Sequence, residues 1–100
     1  MGNSMKINVE EIQKITSLLL SKLKACKGNE IEVKNDYYWD ISDDEIYQPY
    51  EDPKNVTLGQ LSDDLLELQR LNNADDAIVY DLKRLSNILK ALSIENQIAF

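Results

Sequence analysis

Residues 31–41 read Ile31-Glu32-Val33-Lys34-Asn35-Asp36-Tyr37-Tyr38-Trp39-Asp40-Ile41. The odd positions carry Ile, Val, Asn, Tyr, Trp and Ile, and the even ones Glu, Lys, Asp, Tyr and Asp. Alternation with period two is the mark of a β-strand with one covered face, so this stretch decides that the chain is not all-helical. Lys34-Asn35-Asp36 has turn composition, and a three-residue loop keeps the alternation in phase. The expectation is a short antiparallel hairpin that sets Val33 against Tyr37 and Ile31 against Trp39. A two-residue turn would send Tyr37 and Trp39 to the face opposite Val33. A single strand running through Asn35 is the alternative. In either case parity assigns Tyr37 and Trp39 to the core and leaves Tyr38 on the polar face with Glu32 and Asp40.

On the N-terminal side the period is 3.6. Ile12, Ile15, Leu19, Leu23 and Cys26 recur at steps of three and four, which draws one apolar stripe along a helix over residues 8–27. Asn8 with Glu11 three residues later has the spacing of a capping box, and Glu10 and Glu11 suit the positive end of the helix. Lys22, Lys24 and Lys27 suit its negative end, and Gly28-Asn29 supplies the stop. Cys26 is the only cysteine. It is read as a small core residue of this stripe rather than as a nucleophile, because the chain has no His to activate it.

On the C-terminal side, residues 42–57 read as an irregular connector. Ser42-Asp43-Asp44-Glu45 can start one helical turn carrying Ile46 and Tyr47, and Pro49 and Pro53 then restrict the backbone. Thr57 with Gln60 has capping-box spacing and predicts a helix whose stripe is Leu58, Leu61, Leu65 and Leu68. Asn73 is read as the cap of a last helix with stripe Ile78, Leu82, Leu85, Leu89 and Leu92, and the Asn72-Asn73 hinge joins the two as an αα-hairpin. The tail to Phe100 is expected to fold back onto the core. The fold class is therefore α+β and mostly helical: an N-terminal helix, a short antiparallel β-hairpin, an irregular connector and a C-terminal αα-hairpin. One hundred residues fit a single domain over 1–100, with residues 1–6 expected to be disordered.

Composition removes whole classes of function. The absence of His excludes His-based triads and His-ligated metals. Gly occurs only at positions 2, 28 and 59, so no phosphate-cradling loop can form. Asp40, Ser42, Asp44 and Glu51 fall at the first, third, fifth and twelfth places of a calcium-binding loop. Glu45, however, stands where that loop needs Gly, and Pro49 interrupts it. Asp63, Asp64 and Glu67 read as complements of a helix dipole rather than as magnesium ligands. The expectation is a non-enzymatic protein with no cofactor and no bound metal. No signal peptide is seen and no apolar run approaches the length of a membrane span, which together with the lone cysteine predicts a cytoplasmic protein.

The net charge of -7 disfavours nucleic acid and anionic membrane surfaces as partners. That charge is unevenly spread. Residues 30–67 hold twelve acids and two bases, net -10, while the rest holds six acids and nine bases, net +3. Five of the seven aromatics, namely Tyr37, Tyr38, Trp39, Tyr47 and Tyr50, lie in the acidic span. Tyrosine supplies rigid amphipathic contact area, and carboxylates around it favour a basic partner. The candidate surface comprises Tyr38, Asp40, Asp36, Glu32, Tyr47, Tyr50, Asp43 and Asp44. Its expected occupant is a basic protein, in the manner of an immunity protein or antitoxin. The alternative is a scaffold or homodimer that associates through a leucine stripe such as Leu66 and Leu71; both a monomer and a homodimer are compatible with the sequence.

Asp36-Tyr37-Tyr38-Trp39, then Pro53, then Thr57-Leu58-Gly59-Gln60-Leu61-Ser62-Asp63-Asp64 resembles a group of small acidic bacterial proteins that share a Tyr-Tyr-Trp and a Gly-Gln-Leu-Ser-Asp-Asp segment. The likeness spans about residues 30–70 and implies a bacterial, cytoplasmic origin; it implies no activity. In its chemistry, the Tyr37-Tyr38 pair among acids is also similar to colicin-type nuclease immunity proteins, small acidic helical domains that block a basic toxin. The expected hairpin departs from their all-helical fold, so this second likeness is one of mechanism.

Overall fold

The computed structural model describes residues 4–71 and 78–95. The chain divides into two compact units, Met1–Glu32 and Val33–Phe100. The architecture is α+β and mostly helical, with element order α1 (Val9–Lys27), β1 (Tyr37–Ile41), α2 (Asp43–Ile46), β2 (Val56–Gln60), α3 (Leu61–Gln69) and α4 (Ile78–Glu95).

The first unit is built on α1, and both of its ends form as their local sequence dictates. The Asn8 side-chain carbonyl accepts the Glu11 backbone N–H at 2.9 Å, which satisfies one donor of the first turn. At the other end Gly28 adopts φ +89°, a backbone closed to most L-residues, and its N–H returns to the Lys24 carbonyl at 2.8 Å. The stripe is regular but uncovered. Ile12 is 48 % exposed and Leu19 58 %, Leu23 is half-buried, and Cys26 is exposed rather than in a core. The reason is architectural: α1 is the only regular element described in this unit, so the unit has no second layer to bury the stripe.

The second unit pairs β1 with β2 as an antiparallel two-stranded sheet, in the register Tyr37↔Gln60, Tyr38↔Gly59, Trp39↔Leu58, Asp40↔Thr57 and Ile41↔Val56. The antiparallel pair is thus present, but its second strand is Val56–Gln60. Residues 31–35 form no strand, and the irregular connector lies between the strands rather than after them. Thr57 accordingly sits inside β2 and does not cap a helix, and Leu58 is a strand residue, 64 % exposed.

The helix expected at Thr57 begins instead at Leu61, and its cap comes from far away in sequence. Gln60 occupies the N-cap position, but its side chain makes no capping bond. Asp36 takes over that role: its backbone carbonyl accepts the Leu61 N–H at 2.7 Å and its carboxylate accepts the Ser62 N–H at 2.7 Å. A capping group does not have to be local, and here an acid at the mouth of β1 meets the first free amides of α3.

The connector is closed by a second acid. Glu45 accepts the Lys54 and Asn55 backbone N–H groups, each at 2.7 Å, and the Ser42 hydroxyl at 2.9 Å. The Ser42 N–H in turn donates to the Asn55 carbonyl at 3.1 Å, so residues 42–55 form a pinned loop that begins with the single turn of α2. Helices α3 and α4 pack against each other, as an αα pair requires. The Asn72-Asn73 hinge, the Asn73 cap and the Phe100 tail lie outside the described residues. No described residue is fully buried; Ile41, Val56, Leu61, Leu68, Ile88, Leu89 and Leu92 are the half-buried aliphatics of the second unit's main elements. No described helix is long and apolar enough to cross a membrane.

Candidate functional site

The two sides of β1 do different things. Tyr38 points across its partner strand over Gly59, and a Cβ on residue 59 would coincide with the tyrosine ring. That absent side chain lets the phenol reach beyond the sheet, where it donates to the Asp64 carboxylate at 2.6 Å and accepts from the Asn87 side-chain amide at 2.8 Å. Asn87 also donates to Asp64 at 3.3 Å. One hydroxyl therefore ties β1 to α3 and α4. Partial burial, followed by the neighbouring Asp64 carboxylate, pushes the phenol's pKa well above its ordinary value of 10.0, so it stays a neutral donor.

This corrects the assignment made from parity. Tyr38 is half-buried and engaged, whereas Tyr37 and Trp39 are 63 % and 72 % exposed. Val33, Tyr37, Trp39 and Ile41 line one groove, but Tyr38 and Asp40 of the other parity line it as well. Parity failed on which side is covered: the strand partner is Val56–Gln60, and the Gly59 gap fixes Tyr38 toward the helices.

The groove has a volume of about 490 Å³ and is lined by those four residues with Asn35, Tyr38, Asp40, Ile46, Leu61 and the Asn87, Lys90, Ala91 and Ile94 face of α4. Trp39 stands opposite the exposed Leu58, so the two form a cross-strand apolar pair at its margin. Apolar side chains alternate in the groove with the polar groups of Asn35, Asp40, Asn87 and Lys90, an arrangement suited to holding an apolar side chain flanked by orienting hydrogen-bonding groups.

The remaining candidates separate into engaged and open residues. Asp36 is engaged: besides Ser62 N–H it accepts from the Gln60 amide and the Ser62 hydroxyl, each at 2.8 Å. The Gln60 bond, then those from Ser62, hold its carboxyl below the ordinary 3.8. It is a capping residue, not a free contact. Asp43 is ion-paired with Lys83 of α4, which raises the lysine above 10.5. Asp40 and Asp44 are exposed, and Tyr47 and Tyr50 are 89 % and 98 % exposed on the connector. Glu32 is exposed and belongs to the first unit. Trp39, Tyr37, Leu58 and Ile46 were missed as open contact residues; Gly59 marks only the strand position that the Tyr38 ring crosses.

Among the described residues no three Asp, Glu or Cys side chains converge as a metal site requires. Glu45, within the stretch with calcium-loop spacing, spends its carboxylate on Lys54 and Asn55, whose N–H groups, the Lys54 one foremost, lower its pKa from 4.5. Comparison with protein-family models, with curated proteins and with solved structures finds no match for the chain.

Proposed function

We propose that the second unit is a non-enzymatic protein-binding module. It presents the outward side of β1 and the acidic connector to a basic protein partner. The observation that carries this reading is the exposure of Trp39, Tyr37, Tyr47 and Tyr50 within a segment of net charge -10. Large aromatics left open are the residue types that anchor interfaces, and the exposed acids Asp40 and Asp44 beside them would steer a cationic surface into register. The partner's anchor would be an apolar side chain seated in the groove under Trp39, with Lys or Arg around it. Occlusion of a basic protein's working surface, as immunity proteins and antitoxins do, is the sharpest form of this proposal.

The test is capture from a bacterial lysate at low salt on immobilised chain, with elution by a salt gradient, for wild type, Tyr38→Phe and Trp39→Ser/Tyr50→Ser. Retention of a basic protein by wild type and Tyr38→Phe, and its loss with the double variant, supports the reading. Equal retention on all three chains, or none on any, overturns it.

A further inference from the structure

Two pairs in the apolar stripe of α1 stand eleven residues apart, Ile12 with Leu23 and Ile15 with Cys26, with Leu19 between them. Eleven residues make three turns at 3.67 residues per turn, so the stripe runs almost straight along the helix instead of winding around it. The same interval relates Glu11 to Lys22, which places this acid and this base on one flank of the stripe, three turns apart. Among the described residues neither has an ion-pair partner, whereas Glu10 is paired with Lys14 at 3.4 Å. The helix dipole accounts for acids at the start and lysines at the end of α1; it does not account for the shared flank.

We infer that α1 pairs with α1 of a second copy of this chain, end for end. Turning one helix about an axis perpendicular to the pair brings like flanks together. With that axis near Ser17, Ile12 meets the other copy's Leu23, Ile15 meets its Leu19, and Glu11 falls beside its Lys22, twice by symmetry. A parallel pair would instead set Glu11 against the opposite flank at the same height, where Val9 lies, and would leave Lys22 near Leu20. Charge complementarity thus selects one occupant and one orientation. The stripe that the first unit leaves open is then covered, and the molecule carries two copies of the acidic aromatic surface. Beside Leu66, which is 46 % exposed, the base Arg70 is already paired with Glu67 at 3.2 Å, unlike Glu11 and Lys22 of α1.

Sedimentation equilibrium of the full chain at low salt tests this. Wild type associates to a dimer in the range of about 10–100 µM, as expected for a short two-helix contact. Glu11→Lys and Lys22→Glu each weaken dimerisation by roughly tenfold or more, since each places two like-charge contacts in the pair. Mixing the two variants one to one restores a dimer, as does combining both changes in one chain. Under oxidation wild type forms no Cys26–Cys26 crosslink, because the two sulfurs lie about 25 Å apart in the reversed pair. A monomer at all these concentrations overturns the inference. So does a dimer indifferent to both variants, or one that crosslinks rapidly through Cys26.

Discussion

Asn8 and Asp36 both cap a helix, and the difference between them separates the two units of this protein. Asn8 caps α1 from the adjoining position and bonds three residues ahead. Asp36 caps α3 from 26 residues away, at the mouth of the strand that pairs with β2. The first unit is therefore specified locally and its helix stands without a covering layer. The second is specified by contacts that close large loops, which cost entropy to form and then act together. Damage should stay confined in the first unit and spread in the second.

The largest effect is expected at Gly59. Gly59→Ala puts a methyl group where the Tyr38 ring lies, so the ring must leave and the Asp64 and Asn87 contacts go with it. The cost is about 2–3 kcal/mol by the measure of overpacked sites. Denaturation monitored by the fluorescence of Trp39, the only tryptophan, reads it in the second unit alone. Tyr38→Phe keeps the ring and removes the hydroxyl, leaving Asp64 and Asn87 to each other; a loss of about 1–2 kcal/mol is expected in the same assay. Asn8→Ala should cost about 1 kcal/mol of helix stability, seen as fraying of α1 by circular dichroism with the Trp39 transition unmoved. A shift of that transition would break the contrast between the two units.

The mildest perturbation is acid. The Asp36 and Glu45 carboxyls are held below their ordinary values of 3.8 and 4.5 by the groups that donate to them, so the unfolded chain takes up protons first. The stability they add is full above those values and declines as the pH falls below them. Asp36→Asn should flatten the acid limb of the Trp39 transition while leaving the neutral-pH signal of α1 unchanged.

Legibility in the sequence divides along the same line. The α1 boundaries, its Asn8 cap and its Gly28 stop are legible because each signal lies within a few residues of its effect. The strand pairing is not. Thr57-Leu58-Gly59-Gln60 carries a helix-start pattern, and pairing with β1 overrides it. The Asp-Tyr-Tyr-Trp and Gly-Gln-Leu-Ser-Asp-Asp segments have the composition of a binding surface, yet they supply Asp36, Tyr38, Gly59, Gln60, Ser62 and Asp64. Every one of these takes part in the interlock of β1, β2 and α3. In this chain that segment pair holds the fold together. The open aromatics, Trp39 and Tyr37 within it and Tyr47 and Tyr50 outside it, are what it leaves for recognition.

One paired measurement addresses the division of labour across β1. Stability and affinity for the basic protein captured at low salt are determined side by side for Tyr38→Phe and Trp39→Ser. Tyr38→Phe should lose stability and keep its affinity, whereas Trp39→Ser should keep stability and lose affinity by roughly tenfold or more. If Trp39→Ser binds as wild type does while Tyr38→Phe, still folded, does not, the assignment of the two faces is wrong.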